Sequence, residues 1–141
     1  MDLLQLDRQV CFGLAVAARN VIALYRPVLE PMGLTHPQYL VMLALWERSP
    51  RSVGELASVL ALDPGTLSPL LKRLEGSGLI TRKRVPGNER SLAVSLTDDG
   101  TALRARAELV PPAIIEKLGM ELSELEDLRA VLDRVIHAAR G

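Results

Sequence analysis

The chain has one cysteine, two histidines, one phenylalanine, one tryptophan and two tyrosines in 141 residues. A lone Cys11 excludes an intrachain disulfide framework and a cysteine-rich zinc site. With His36 and His137 as the only histidines, no phosphate-binding loop and no metal-ligand spacing, the chain offers no constellation for an enzyme, and neither a metal nor another cofactor is called for. Scarcity of aromatics leaves the core to Leu, Val, Ile and Ala, which favours helices. The longest unbroken apolar run, Tyr39 to Trp46, falls far short of the roughly 20 residues of a membrane span. Asp2 and Asp7 precede any basic residue, so the expectation is a soluble, cytoplasmic protein with no membrane partner. The length suits one domain, residues 1–141, large enough to bury about two thirds of the surface of the unfolded chain.

Net charge is also lacking: 17 basic residues balance 17 acidic ones. The balance is not local. Residues 1–63 carry five basic and six acidic side chains, residues 64–96 carry six and two, and residues 97–141 carry six and nine. The middle block is therefore +4 between flanks of −1 and −3, the pattern of an electrostatic footprint for nucleic acid inside a neutral chain.

Apolar residues from Leu3 to Leu29 recur at helical spacing, ended by Pro31 and Gly33. Thr35 to Gln38 is a capping-box signature opening a helix through Trp46, and Ser52 to Glu55 opens a second through Leu60. Asp63-Pro64 starts a helix to Gly76 or Gly78, completing a helix-turn-helix candidate. Beyond Gly78 the period becomes two, from Ile80 to Val85 and from Ser91 to Leu96 around Pro86-Gly87-Asn88-Glu89, which predicts a β-hairpin. Thr97 begins a long helix kinked or broken at Pro111-Pro112, and Ser123 with Glu126 caps a final one. The fold class is mainly α with a small β-hairpin wing. Residues 35–96 form a winged helix-turn-helix lobe, and residues 1–33 and 97–141 form the helices that pair two chains. Their apolar stripes exceed what the lobe can cover, so a monomer would expose them.

In the helix after Asp63, Leu67, Leu70, Leu71 and Leu74 must face the core. Gly65, Thr66, Ser68, Pro69, Lys72 and Arg73 then face out, small and hydroxylic groups near base edges and cations near phosphate or guanine, and Asp63 at the cap completes this DNA-binding set. Pro69 either marks a bend or offers its ring to a thymine methyl. In the hairpin, Arg82, Lys83 and Arg84 hold the DNA backbone while Arg90 enters a minor groove.

The string Asp63-Pro64-Gly65-Thr66-Leu67-Ser68-Pro69-Leu70-Leu71-Lys72-Arg73-Leu74-Glu75, with Gly78-Leu79-Ile80-Thr81-Arg82 and Glu89-Arg90-Ser91 through Leu96-Thr97, resembles the MarR family of winged-helix transcriptional regulators. Cys11-Phe12, Tyr25-Arg26-Pro27 and Pro37-Gln38-Tyr39-Leu40 resemble its OhrR branch of one-cysteine organic-hydroperoxide sensors. The resemblance implies a two-fold dimer on pseudo-palindromic double-stranded operator DNA. It also implies a repressor released when hydroperoxide oxidises Cys11, with Tyr25 and His36 at the redox site and a small thiol as mixed-disulfide partner. His36 stands where the branch usually has tyrosine. An imidazole can donate an N–H there and, if protonated, add a positive charge. Ala15 replaces another usual tyrosine, and Asn88 a wing aspartate.

Taken alone, Cys11 on an apolar helix face reads as an inert core residue. Geometry adds that Cys11 and Tyr25, 14 residues apart, share a helix face yet stand about 21 Å apart at 1.5 Å per residue, so they can meet only across two chains. The competing readings are a repressor released by a small aromatic ligand in the dimer cleft with Cys11 structural, an enzyme, and a protein-binding adaptor. The absent catalytic constellation argues against the enzyme and the +4 block against the adaptor.

Overall fold

Four polar residues, Thr35, Ser52, Asp63 and Thr97, each accept a hydrogen bond from the backbone amide three residues on, and each starts a helix. They open α2 (His36–Glu47), α3 (Val53–Leu60), α4 (Pro64–Gly76) and α5 (Asp98–Ala107). Each cap satisfies an amide that the first turn leaves orphaned, typically worth about 1 kcal/mol. The structure, a computed structural model, describes residues 2–140, with the side chains of residues 88–91 outside the description. In it α1 (Val10–Leu29) precedes these helices and α6 (Val110–Leu118) and α7 (Leu122–Arg140) follow them.

Strands β1 (Arg51–Ser52), β2 (Ile80–Val85) and β3 (Asn88–Leu96) form an antiparallel sheet in the order β1-β3-β2. The β2–β3 hairpin turns at Pro86-Gly87, where Gly87 has φ +83°, the left-handed region that glycine enters without strain. Inside the lobe, Met42 and Leu45 from α2, Leu56 from α3, Leu67, Leu71 and Leu74 from α4, and Ile80 and Val94 from the sheet close one apolar core. Val110 and Ile114 of α6 and Leu29 of α1 extend it toward the terminal helices.

The expected elements shift in five places. Helix α1 begins at Val10 rather than Leu3, because Gln9 is extended and its amide side chain turns back to the Leu3 and Gln5 carbonyls, leaving a 3-10 turn at Leu6–Arg8. Only half of the second capping box forms: Ser52 accepts from Glu55, but the Glu55 carboxylate pairs with Arg48. The expected long helix after Thr97 is two helices, and Pro111-Pro112 sit in the first turn of α6, where a missing N–H breaks no helical bond. Ser123 lies inside α7, and the amide of Glu121 is met instead by the Glu124 carboxylate. Strand β1 was too short for any period to announce it. Arg51 within it is buried, its Nε donating to the Ala44 and Arg48 carbonyls.

The terminal helices are bare by comparison. Val10 is 71% exposed, Phe12 and Leu14 are exposed beside it, and α7 contributes no buried residue at all. The stretch Val10–Met32 is also long and apolar enough to cross a membrane by length and composition. No unbroken apolar run marks it, because Arg19 and Arg26 interrupt the sequence.

Candidate nucleic-acid interface and aromatic cluster

The outer face of α4 follows from its inner one. Leu67, Leu70, Leu71 and Leu74 are buried, so Gly65, Thr66, Ser68, Pro69, Lys72 and Arg73 are turned to solvent. Asp63 holds the start of this face: its carboxylate accepts from the Thr66 amide at 2.9 Å and from the Thr66 hydroxyl at 2.8 Å. The Thr66 side-chain bond, and then its backbone bond, hold the Asp63 carboxyl below the usual carboxylate range. Asp63 thus serves as the cap that orients Thr66. The helix is continuous through Pro69, whose ring is exposed and whose missing N–H removes the bond to the Gly65 carbonyl.

The hairpin rises directly from α4. Gly78, with φ +79°, reverses the chain, Leu79 donates back to the Leu74 carbonyl at 3.1 Å, and β2 begins at Ile80. The base is fastened on its far side by Thr97, whose hydroxyl donates to the Gly78 carbonyl at 2.6 Å. It is fastened again where α5 meets it: a Cβ on Gly100 would lie 2.1 Å from the Leu79 carbonyl oxygen, so no larger residue fits. Lys83 and Arg84 are exposed on β2. Arg82 is not free in the same way, since its guanidinium meets Glu75 at 3.1 Å and its backbone amide donates to the same carboxylate at 3.0 Å. Glu75 was missed in the sequence because nothing in its spacing from Arg82 belongs to either a helix or a strand period. Arg90 lies outside the residues whose side chains are described, though its backbone belongs to β3.

A second set of residues gathers where α1 meets α2. The rings of Tyr25 and His36 stand edge to face with centroids 4.8 Å apart, and Tyr39 packs 5.8 Å from Tyr25 and 6.5 Å from His36. Tyr39 was not singled out, although its place three residues after His36 puts both on one helix face. Burial raises the pKa of both tyrosines, that of Tyr39 further through Tyr25, and lowers that of His36. At neutral pH the three rings are therefore uncharged, with the phenol protons in place. Among the described residues, neither the Tyr25 hydroxyl nor the His36 ring has a hydrogen-bond partner. Beside His36 opens a hollow of about 500 Å³ whose wall includes Arg19, Arg26, Ile22 and Leu34.

Cys11 stands apart from this cluster. It is exposed one residue into α1, while Tyr25 lies near the other end of the same unbroken helix, about 21 Å along its axis at helical rise. The structure brings Tyr25 and His36 together and leaves Cys11 outside.

Residues 34–92 match the family model described as MarR family. The organic hydroperoxide resistance transcriptional regulator of Bacillus subtilis is 40% identical over 139 residues, 96% of this chain and 95% of that protein. Among solved structures, reduced AbfR bound to DNA has a TM-score of 0.83 at 34% identity, covering 96% of this chain and 92% of that one. AbfR, from Staphylococcus epidermidis, in its disulfide form superposes less well, with a TM-score of 0.64 at 33% identity over 96% of this chain and 90% of that one.

Proposed function

The chain is a transcriptional regulator of the MarR family, a DNA-binding family without enzymatic activity, and we propose that it is a homodimeric, cytoplasmic repressor released from its operator when an organic hydroperoxide oxidises Cys11. The observation that carries the redox half is the aromatic cluster: two uncharged donors, Tyr25 and His36, sit side by side without a partner among the described residues, and the only cysteine is on the same helix as Tyr25 but out of reach. An antiparallel crossing of two α1 helices brings Cys11 of one chain to Tyr25 and His36 of the other. The same pairing covers the bare faces of α1 and α7. A small aromatic ligand as the switch, with Cys11 structural, is not favoured beside a 40% identical relative named for organic hydroperoxide resistance.

The Cys11 thiolate attacks the outer peroxide oxygen, the O–O bond breaks as the S–O bond forms, and the alkoxide leaves as an alcohol after taking a proton. The resulting sulfenic acid condenses with a small thiol, forming a disulfide and releasing water. Forcing that bulk into a packed interface costs about 1–3 kcal/mol, and every 1.4 kcal/mol weakens DNA binding about tenfold.

His36 acts here as a neutral donor. Burial lowers its pKa, so the positive charge that a protonated imidazole would bring is absent at neutral pH. The unfolded chain binds a proton at His36 more readily than the folded one, so stability falls as pH drops below about 6.5, the unperturbed value. His36→Ala is expected to slow Cys11 alkylation at neutral pH and its oxidation by hydroperoxide several-fold, with operator affinity of the reduced protein unchanged. Alkylation rates identical to wild type across pH would remove His36 from the redox site.

For the DNA half, α4 supplies Gly65, Thr66, Ser68, Pro69, Lys72 and Arg73 to the major groove, and Lys83, Arg84 and Arg90 bring the wing to phosphate and minor groove. Lys72→Ala is expected to weaken operator binding and to lower the slope of log affinity against log salt by about 0.9, one phosphate contact. An affinity indifferent to salt in the wild-type protein overturns the DNA interface altogether.

A further inference from the structure

We infer that Arg82 is a positioning residue rather than a DNA contact: its guanidinium and backbone amide both donate to Glu75 and thereby lock the wing at a fixed angle to α4. The inference rests on α4 and the hairpin being the DNA interface, and its test keeps the two apart.

Recognition helix and wing are joined by only Ser77, Gly78 and Leu79. On the inner side the junction is held by apolar contacts, with Leu71, Leu74, Ile80 and Val94 fully or almost fully buried. On the outer side its one ion pair among the described residues is Arg82 with Glu75, at 3.1 Å, with the second bond from the Arg82 amide at 3.0 Å. The side chains are 22% and 38% exposed, so the pair is partly shielded from water. Glu75 sits in the last turn of α4 and Arg82 is the third residue of β2, so the carboxylate grips the strand by its backbone as well as its side chain. Without it, the part of the hairpin beyond its fastened base pivots more readily on its apolar inner edge. From Arg82 to the turn is about 15 Å of strand at 3.3 Å per residue, so a 10° pivot moves the tip by roughly 2.6 Å. That is about the length of a hydrogen bond, enough to carry a wing side chain off its phosphate or groove.

The two roles for Arg82 predict opposite signs. Removing the Glu75 carboxylate takes a negative charge from beside the DNA and releases a cation. If Arg82 served as a contact, binding would tighten. As a strut, binding weakens. The experiment is operator binding by fluorescence anisotropy over a salt series for the full-length dimer and the variants Glu75→Ala, Arg82→Ala, their double, Glu75→Gln and Lys72→Ala. Glu75→Ala and Arg82→Ala are each expected to weaken binding about tenfold, the double no more than either single, with the salt slope of Arg82→Ala unchanged. Glu75→Gln keeps an acceptor for the Arg82 amide, guards against misfolding and is expected to weaken binding less, with the same sign. Tighter binding by Glu75→Ala, or a salt slope lowered by one phosphate in Arg82→Ala, overturns the strut. Unaltered binding by Lys72→Ala overturns the interface itself.

Discussion

Cys11→Ser is expected to hold its operator as tightly as the reduced wild-type protein and to stay bound when an organic hydroperoxide and a small thiol are added. Under the same treatment the wild-type protein should lose tenfold or more in affinity. Cys11 is exposed at the start of α1, far in sequence from α4 and the hairpin and outside the lobe that carries them, so replacing sulfur by oxygen leaves the DNA surface untouched. The serine hydroxyl, though, is not ionised at neutral pH and is no nucleophile toward a peroxide, so neither sulfenic acid nor mixed disulfide forms. Gel shifts with and without oxidant read the affinity, and the mass of the intact chain reads the adduct. Release of Cys11→Ser by hydroperoxide would put the sensor elsewhere; an oxidised wild-type chain that stays bound would leave Cys11 without a regulatory role.

Removal of α7 is expected to abolish the dimer and, with it, most operator affinity. Within one chain this helix buries nothing completely, and Leu122, Leu128, Val131, Val135 and Ile136 present a stripe of apolar side chains to solvent. Each such side chain stabilises by about 1.5–3 kcal/mol when fully buried, so covering the stripe together with the exposed half of α1 supplies the dimer's driving force. A dimer gripping two half-sites gains through effective concentration, a factor on the order of 10²–10⁴ that a monomer forfeits. Sedimentation velocity of a chain ending at Glu121 reads the assembly. The double substitution Val131→Asp with Val135→Asp, which leaves the helix in place and charges its stripe, keeps the outcome clear of simple truncation damage. A soluble dimer from both variants would count decisively against pairing through α7.

The helix-turn-helix lobe was legible because its instructions are local. Thr35, Ser52, Asp63 and Thr97 mark helix starts by a chemistry confined to four residues, and the leucines of α4 fix which face is free by a rotation of 100° per residue. The change from helical to alternating period after Gly78 announced the hairpin in the same way. Where local signals competed, tertiary packing decided: Glu55 was drawn from its capping box by Arg48, and the chain broke at Glu108-Leu109 so that Pro111 and Pro112 begin α6 instead of bending α5.

What the sequence by itself determined is which residues carry charge, which helix face is free, and that Cys11 and Tyr25 lie too far apart on one helix to touch. Only the tertiary structure decided that His36 and Tyr39 close around Tyr25, that Arg51 is buried within a two-residue strand, and that Arg82 pairs with Glu75. The reason is physical: periodicity reports the orientation of a side chain about its own helix or strand. A meeting between two elements depends on the turn that joins them and the core that sets their angle, and neither leaves a period in the sequence.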